Sequence, residues 1–235
     1  MSAVSENLLE VRSRIRSACD RVGREAASVS LIAVSKTFPA ESIREVYETG
    51  HGQFGESRIQ EAEPKIRVLP SQIEWHFIGR VQRNKVRKIL QDFKVIHGID
   101  SLRLASYVDE VARELAATPQ VFLQVNLAGE VSKGGFSEAD LLREMEGILA
   151  LKHIDLIGLM CIPPADSNEE TVRGWFRALR KLRDRLEVQF QVCLPSLSMG
   201  MSGDYELAIE EGATHVRVGS SIFGVRAYRV DGELG

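Results

Sequence analysis

Two cations and a set of small hydroxyl residues carry the chemistry of this sequence. The first cation is Lys36, at the end of the run Leu31-Ile32-Ala33-Val34-Ser35-Lys36-Thr37. An apolar, β-branched run reads as a buried strand, and an ammonium there is costly unless it is paired, neutralised or used covalently. Either its head snorkels to solvent at the strand end, or the amine is kept nucleophilic and forms a Schiff base. The second cation is Arg217 in His215-Val216-Arg217-Val218-Gly219. Taken alone, it also reads as a buried structural arginine paired with a carboxylate.

An alternation of strands and helices must position these residues. The chain opens with an amphipathic helix in which Val4, Leu8, Val11, Ile15, Ala18 and Val22 recur at spacings of three and four, stopped at Gly23. Strands are expected near residues 29–37, 52–56, 73–79, 95–100, 121–127, 154–162, 197–200 and 215–219. Helical segments separate them at 40–49, 57–66, 81–90, 102–116, 137–151, 169–186 and 205–212. Pro39 before the first of these and Gly50 after it fit the asymmetry of helix ends. Eight such strands in 235 residues, 44% of them hydrophobic, predict an α/β fold, a single (β/α)8 TIM barrel with an extra N-terminal helix. The expected single domain has a leading helix in 1–27, a barrel over 28–224 and a C-terminal tail at 225–235. An open doubly wound sheet is the alternative, but the first βα turn reads SKTFPAES rather than a glycine-rich dinucleotide fingerprint, and no GxxxxGK phosphate loop occurs.

Barrel closure sets strand eight beside strand one, making Arg217 and Lys36 neighbours. Alternation then turns Ile32, Val34 and Lys36 inward, together with His215, Arg217 and Gly219, while Val216 and Val218 face the helices. Two cations at one edge of the mouth repel unless an anion sits between them, which points to an anionic ligand and a lowered lysine pKa. VGSSIFG after strand eight supplies Gly219 and Ser220 at a loop leading into a short helix. LSMGMSGD supplies Ser198, Gly200, Met201 and Ser202 at the end of strand seven. The loops after strands seven and eight are where such barrels commonly bind phosphate. A lysine for an imine, an arginine and a phosphate cradle are the parts of a pyridoxal-phosphate site.

The motifs SKT at Lys36, FGES followed by QE, WHFIGRVQRNK, QVN with SKGGF, GLMCIPP and LSMGMSGDYELAIEEGATHVRVGSSIFGVRAY span nearly the whole chain. Together they resemble the YggS/PROSC family, the pyridoxal-phosphate homeostasis proteins. The resemblance implies a barrel similar to the alanine racemase N-terminal domain and a covalently held pyridoxal 5'-phosphate. It also implies a role in control of the vitamin B6 pool, and indirectly in amino-acid and keto-acid balance. Residue by residue, it implies Lys36 as the Schiff-base lysine and Arg217 facing the pyridine nitrogen. Ser202, Gly219 and Ser220 would hold the phosphate, with Ser198, Gly200 and Met201 shaping that loop. Ser57 stands where the family usually has asparagine after FGE, so a side-chain contact from there to the cofactor or nearby backbone is open. His76 and Met160 are inward candidates on strands three and six, either as cofactor contacts or as core side chains.

A net charge of −3 makes no electrostatic case for nucleic acid or an anionic membrane. No apolar run approaches the roughly 18 residues of a membrane span, and the opening MSAVSENLLEVRSRIR has no signal-peptide core, so a cytoplasmic location is expected. Cys19, Cys161 and Cys193 are odd in number and far apart, and are expected to be reduced core residues. His51, His97, His153 and His215 show no metal spacing, and paired carboxylates for hydrolysis are not evident. Arg80, Arg83, Lys85, Arg87 and Lys88 are expected on a solvated helix face.

Three function classes share these parts: a cofactor store that delivers to apo pyridoxal-phosphate enzymes, an amino-acid racemase, and a cofactor-free Schiff-base aldolase. About 16 residues follow strand eight, too few for the β-rich second domain that gives alanine racemase its opposite-face tyrosine, and Tyr228 has no such domain to position it. Losing one of two bases is expected to slow racemisation on the order of 10²- to 10⁴-fold. An arginine at the pyridine nitrogen also weakens the electron sink, while an aldolase has no need of a phosphate cradle. The expectation is therefore a monomeric, non-catalytic pyridoxal-phosphate-binding protein.

Overall fold

Strands of four to six residues alternate with helices from end to end of the chain, each helix carrying one apolar stripe. The computed structural model describes residues 2–130, 134–164 and 168–224. The expected tail at 225–235, with Tyr228, and Ser132 and Lys133 of the SKGGF motif lie outside the described residues.

The strands are β1 (Ser30–Val34), β2 (Gln53–Glu56), β3 (Glu74–Phe77), β4 (Val95–Ile99), β5 (Gln120–Gln124), β6 (Asp155–Met160), β7 (Ser196–Met201) and β8 (His215–Val218). They pair in parallel in chain order, and β8 pairs back to β1, with Ile32 opposite Arg217 and Ala33 opposite Val218. The sheet is thus a closed eight-stranded barrel. Among the described residues the helices are α1 (Ala3–Arg21), α2 (Ala40–Glu48), α3 (Ile59–Ile66), α4 (Val86–Asp92), α5 (Leu102–Glu114), α6 (Glu138–Leu149), α7 (Glu169–Phe190), α8 (Tyr205–Glu210) and α9 (Ser220–Phe223). Ser2, Ser101, Ser137 and Asn168 cap α1, α5, α6 and α7, each side-chain oxygen accepting a backbone N–H three residues on. None of these helices is long and apolar enough to cross a membrane.

Alternation along the strands divides the core. Leu31, Ala33, Leu123, Leu159, Leu197, Val216 and Val218 pack outward against the helices, whose Ile43, Val46, Val108 and Phe176 are fully buried. Inside the barrel, Val95, Phe122 and Met160 form a separate small apolar cluster. Beside it the buried interior carries polar side chains, His76, His97, Ser198 and Arg217.

Three expectations need correction. The first strand stops at Val34 rather than running to residue 37, because Ser35 to Phe38 form a turn closed by the Phe38 N–H donating to the Ser35 carbonyl at 3.1 Å. The segment 81–90 is not one α-helix: Arg83–Lys85 form a 3-10 turn, and α4 begins at Val86, where burial of Val86, Ile89 and Leu90 starts. Cys193 is exposed, unlike Cys19 and Cys161, since the chain leaves α7 through Gln191 in the left-handed region (φ 51°) and runs over the surface. In the basic run, Lys88 pairs with Glu63 at 2.8 Å, Arg87 pairs with Glu114, and the Arg83 guanidinium lies over the Tyr107 ring at 4.4 Å.

Candidate functional site

Lys36 sits on the turn that ends β1, and its backbone is held from both sides. The buried Ser35 hydroxyl donates to Glu56 Oε1 at 2.7 Å, and Lys65 Nζ donates to the same oxygen at 2.7 Å and to the Ser35 carbonyl at 3.0 Å. Burial raises the Glu56 pKa, and the Lys65 ammonium opposes that rise. Thr37 occupies the left-handed region (φ 70°), a strained conformation for a β-branched residue, and its N–H donates to Glu61 Oε2 at 3.3 Å. This framework directs Lys36, itself half-buried, into a cavity at the C-terminal mouth of the barrel.

That cavity measures about 310 Å³, and the structure brings Lys36, Met201, Ser202, Arg217, Gly219 and Ser220 together around it. Val34, Phe38, Ile78 and Ile162 supply apolar wall, with Phe38 stacked on Phe223 at 5.0 Å between ring centroids. The Gly219 N–H donates to Ser202 Oγ at 3.1 Å, tying the β7 and β8 loops together. A Cβ at Gly219 would stand 3.2 Å from the Val34 carbonyl oxygen, so a side chain there would press on β1. Gly200, at φ +92°, leaves room for α8, because its Cβ would lie 2.6 Å from Ala208 Cβ.

Arg217 is buried and donates from Nη1 to Ser198 Oγ and from Nη2 to the Cys161 carbonyl at 3.0 Å. The expected alternative, an arginine paired with a carboxylate, does not hold, since both donors go to neutral oxygens. Burial lowers its pKa, and burial likewise raises those of its neighbours Cys161, to about 12, and Asp204.

Five of the sequence-derived candidates do not line this cavity. Ser198 lies beneath Arg217, and His76 lies deeper in the barrel, its Nδ1 3.0 Å from His97 Nε2. Met160 packs with Val95 and Phe122, and Gly200 serves the packing of α8. Ser57 opens instead on a neighbouring groove with Arg58, Gln60 and Lys85. Sequence reasoning missed His97 and Glu74 as partners of His76; the signal is their inward parity on β4 and β3, whereas His97 is weighed only for metal spacing and Glu74 not at all. A larger cleft of about 750 Å³ gathers Glu74, Lys94, Gln120 and Asp155 at the opposite face, the N-terminal ends of the strands. That face of a barrel serves stability rather than chemistry. No group of three or more metal-ligating side chains occurs among the described residues.

Residues 7–227 match the family described as alanine racemase, N-terminal domain. A pyridoxal phosphate homeostasis protein of Aquifex aeolicus (strain VF5) is 45% identical over 224 residues, covering 95% of this chain and 98% of that one. The chain belongs to the pyridoxal phosphate homeostasis protein family. The Escherichia coli (strain K12) member of this homeostasis family is 37% identical over 236 residues, covering 97% and 99%. PipY of Synechococcus elongatus PCC7942, solved with PLP bound, superposes with a TM-score of 0.84 at 39% identity, covering 94% of this chain and all of that one. Alanine racemase of Clostridium difficile 630 shares the fold, with a TM-score of 0.71 at 15% identity, and this homeostasis-family chain covers 61% of its length.

Proposed function

We propose that this chain binds pyridoxal 5'-phosphate covalently through Lys36 and serves intracellular vitamin B6 homeostasis by storing and delivering the cofactor without turnover. The observation that carries this reading is the convergence of Lys36, Arg217 and the joined Ser202–Gly219 loops on one cavity. The donor set suits the group: a primary amine for an aldehyde, a cation for a ring nitrogen, and hydroxyl and backbone donors for a phosphate. Gly219 supports the fit, since a Cβ there would crowd β1 at the cradle.

Bound pyridoxal phosphate supplies an aldehyde carbon that condenses with an amine. Lys36 is the amine, and Ser202, Gly219 and Ser220 hold the phosphate. Arg217 would meet the ring nitrogen; a guanidinium has no proton to give up near neutral pH, so it would donate a hydrogen bond and leave that nitrogen unprotonated. The electron sink needed for cleavage at Cα is thereby weakened, which favours retention over turnover. Recipients are apo pyridoxal-phosphate enzymes. A monomeric, cytoplasmic protein of one domain without a nucleic-acid or membrane partner belongs to this reading, in keeping with a net charge of −3.

The test is the near-ultraviolet and visible spectrum of the purified protein before and after borohydride reduction, followed by peptide mapping. The cofactor mass is expected on Lys36 and lost in Lys36→Ala; finding it on Lys65 or Lys85 sinks the assignment. Incubation with L-alanine in D₂O checks the second half: α-proton exchange at about 1 s⁻¹ or faster would favour a racemase.

A further inference from the structure

A line of hydrogen bonds crosses the barrel interior from one mouth to the other. Arg217 Nη1 donates to Ser198 Oγ, which lies 2.8 Å from His97 Nδ1. His97 Nε2 is 3.0 Å from His76 Nδ1, and His76 Nε2 is 3.1 Å from Glu74 Oε1. Ser198, His97 and His76 are buried, and the Glu74 side chain is 39% exposed at the opposite face.

The two ends dictate the direction of every bond between them. Arginine only donates, so Ser198 Oγ accepts from Arg217, which leaves the hydroxyl proton available to His97 Nδ1. An ionised carboxylate only accepts, so His76 Nε2–H donates to Glu74; that hydrogen bond is the main cause of the Glu74 pKa falling to about 2. Continued in the same sense, His97 Nε2–H donates to His76 Nδ1. Without a proton on His76 Nε2, that nitrogen and the carboxylate would be two acceptors face to face. His97 sits among rings: it stacks on Phe122 at 4.5 Å, and His215 lies 6.3 Å away between centroids. Burial, then His76, Arg217 and His215, lower the His97 pKa well below its usual value.

We infer that Ser198, His97 and His76 are positioning residues that hold the Arg217 guanidinium in one orientation at the cavity floor, through a one-way hydrogen-bond chain anchored on Glu74. Among the described residues, removing the Ser198 hydroxyl leaves the guanidinium tethered through Nη2 to the Cys161 carbonyl and free to swing about that contact. The chain sets the direction from which Arg217 meets a ring nitrogen, and the spectral part of its test rests on the proposed function.

Two measurements separate this inference from that function. Imidazole ¹⁵N shifts of the purified protein at neutral pH are expected to show His97 and His76 protonated at Nε2 and bare at Nδ1. His97 protonated at Nδ1, or charged, overturns the inference whatever the cofactor does. In the loaded protein, Ser198→Ala and His97→Leu are each expected to shift the pH midpoint of the imine absorption by about one unit, a roughly tenfold change in proton affinity. His97→Gln, whose amide offers one donor and one acceptor, is expected to restore it. Wild-type midpoints in Ser198→Ala and His97→Leu overturn the inference with the imine intact, whereas no imine in the wild-type protein defeats the function and leaves the tautomers to decide. If His97→Leu does not fold, Ser198→Ala and His97→Gln carry the same comparison.

Discussion

The backbone N–H of Gly219 donates to the Ser202 hydroxyl at 3.1 Å, joining the β7 and β8 loops where they face Lys36. Ser202→Ala removes both this acceptor and a phosphate donor, and is expected to weaken pyridoxal phosphate binding by roughly 1.5–3 kcal/mol. Gly219→Val, pushed against the Val34 carbonyl, is expected to weaken it further. Equilibrium dialysis with pyridoxal phosphate and pyridoxal checks both, and equal affinities for the two would remove the case for a phosphate cradle.

Lys65→Met strips the buried Glu56 carboxylate of its cation and is expected to cost about 3–5 kcal/mol in urea unfolding. Burial holds the Glu56 pKa above its unfolded value, so the stability it contributes is present below the unfolded pKa and is lost as pH rises. The deficit of the variant should therefore grow between acidic and neutral pH. A deficit that shrinks over that range would contradict the burial assignment.

Burial pulls the His51 and His215 pKa values from the usual 6.5 to about 4. A depressed histidine contributes stability above its unfolded pKa and loses it as pH falls through the folded one. Each is expected to cost about 1.4 kcal/mol per pH unit across that window. Urea midpoints measured at stepped pH give the slope, and His51→Gln should flatten it.

Ser57 meets the structure through its backbone: a Cβ at Gly79 would stand 2.2 Å from the Ser57 carbonyl oxygen. Ser57→Asn should leave cofactor affinity within about twofold, a change below 0.5 kcal/mol, while Gly79→Ala should cost several kcal/mol in stability. Dialysis and thermal melts of the pair separate side-chain from backbone roles.

The barrel is legible because the apolar strand runs and the Pro39 and Gly50 punctuation obey local rules, and closure alone sets Arg217 beside β1. The turn at Ser35 to Phe38 was not legible. Its cause is long-range: Lys65, thirty positions downstream, caps the Ser35 carbonyl, and Glu61 restrains Thr37. Likewise, Ser198 reads as part of the phosphate loop by its place at the end of β7, and His76 as an inward candidate by parity, yet neither signal distinguishes the cavity from the polar layer beneath it. The convergence of six candidates on one cavity follows from topology; the placement of the other five depends on packing that no local pattern encodes.

The seam between β1 and β8 has a consequence in time. Lys36 leaves the ribosome about 180 residues before Ser220, and at roughly 5–20 residues per second the interval is about ten to forty seconds. Ile32 and Arg217 come into register only when the last strand docks on the first. A nascent chain thus presents Lys36 before the Ser202 and Gly219 loops that face it have been made.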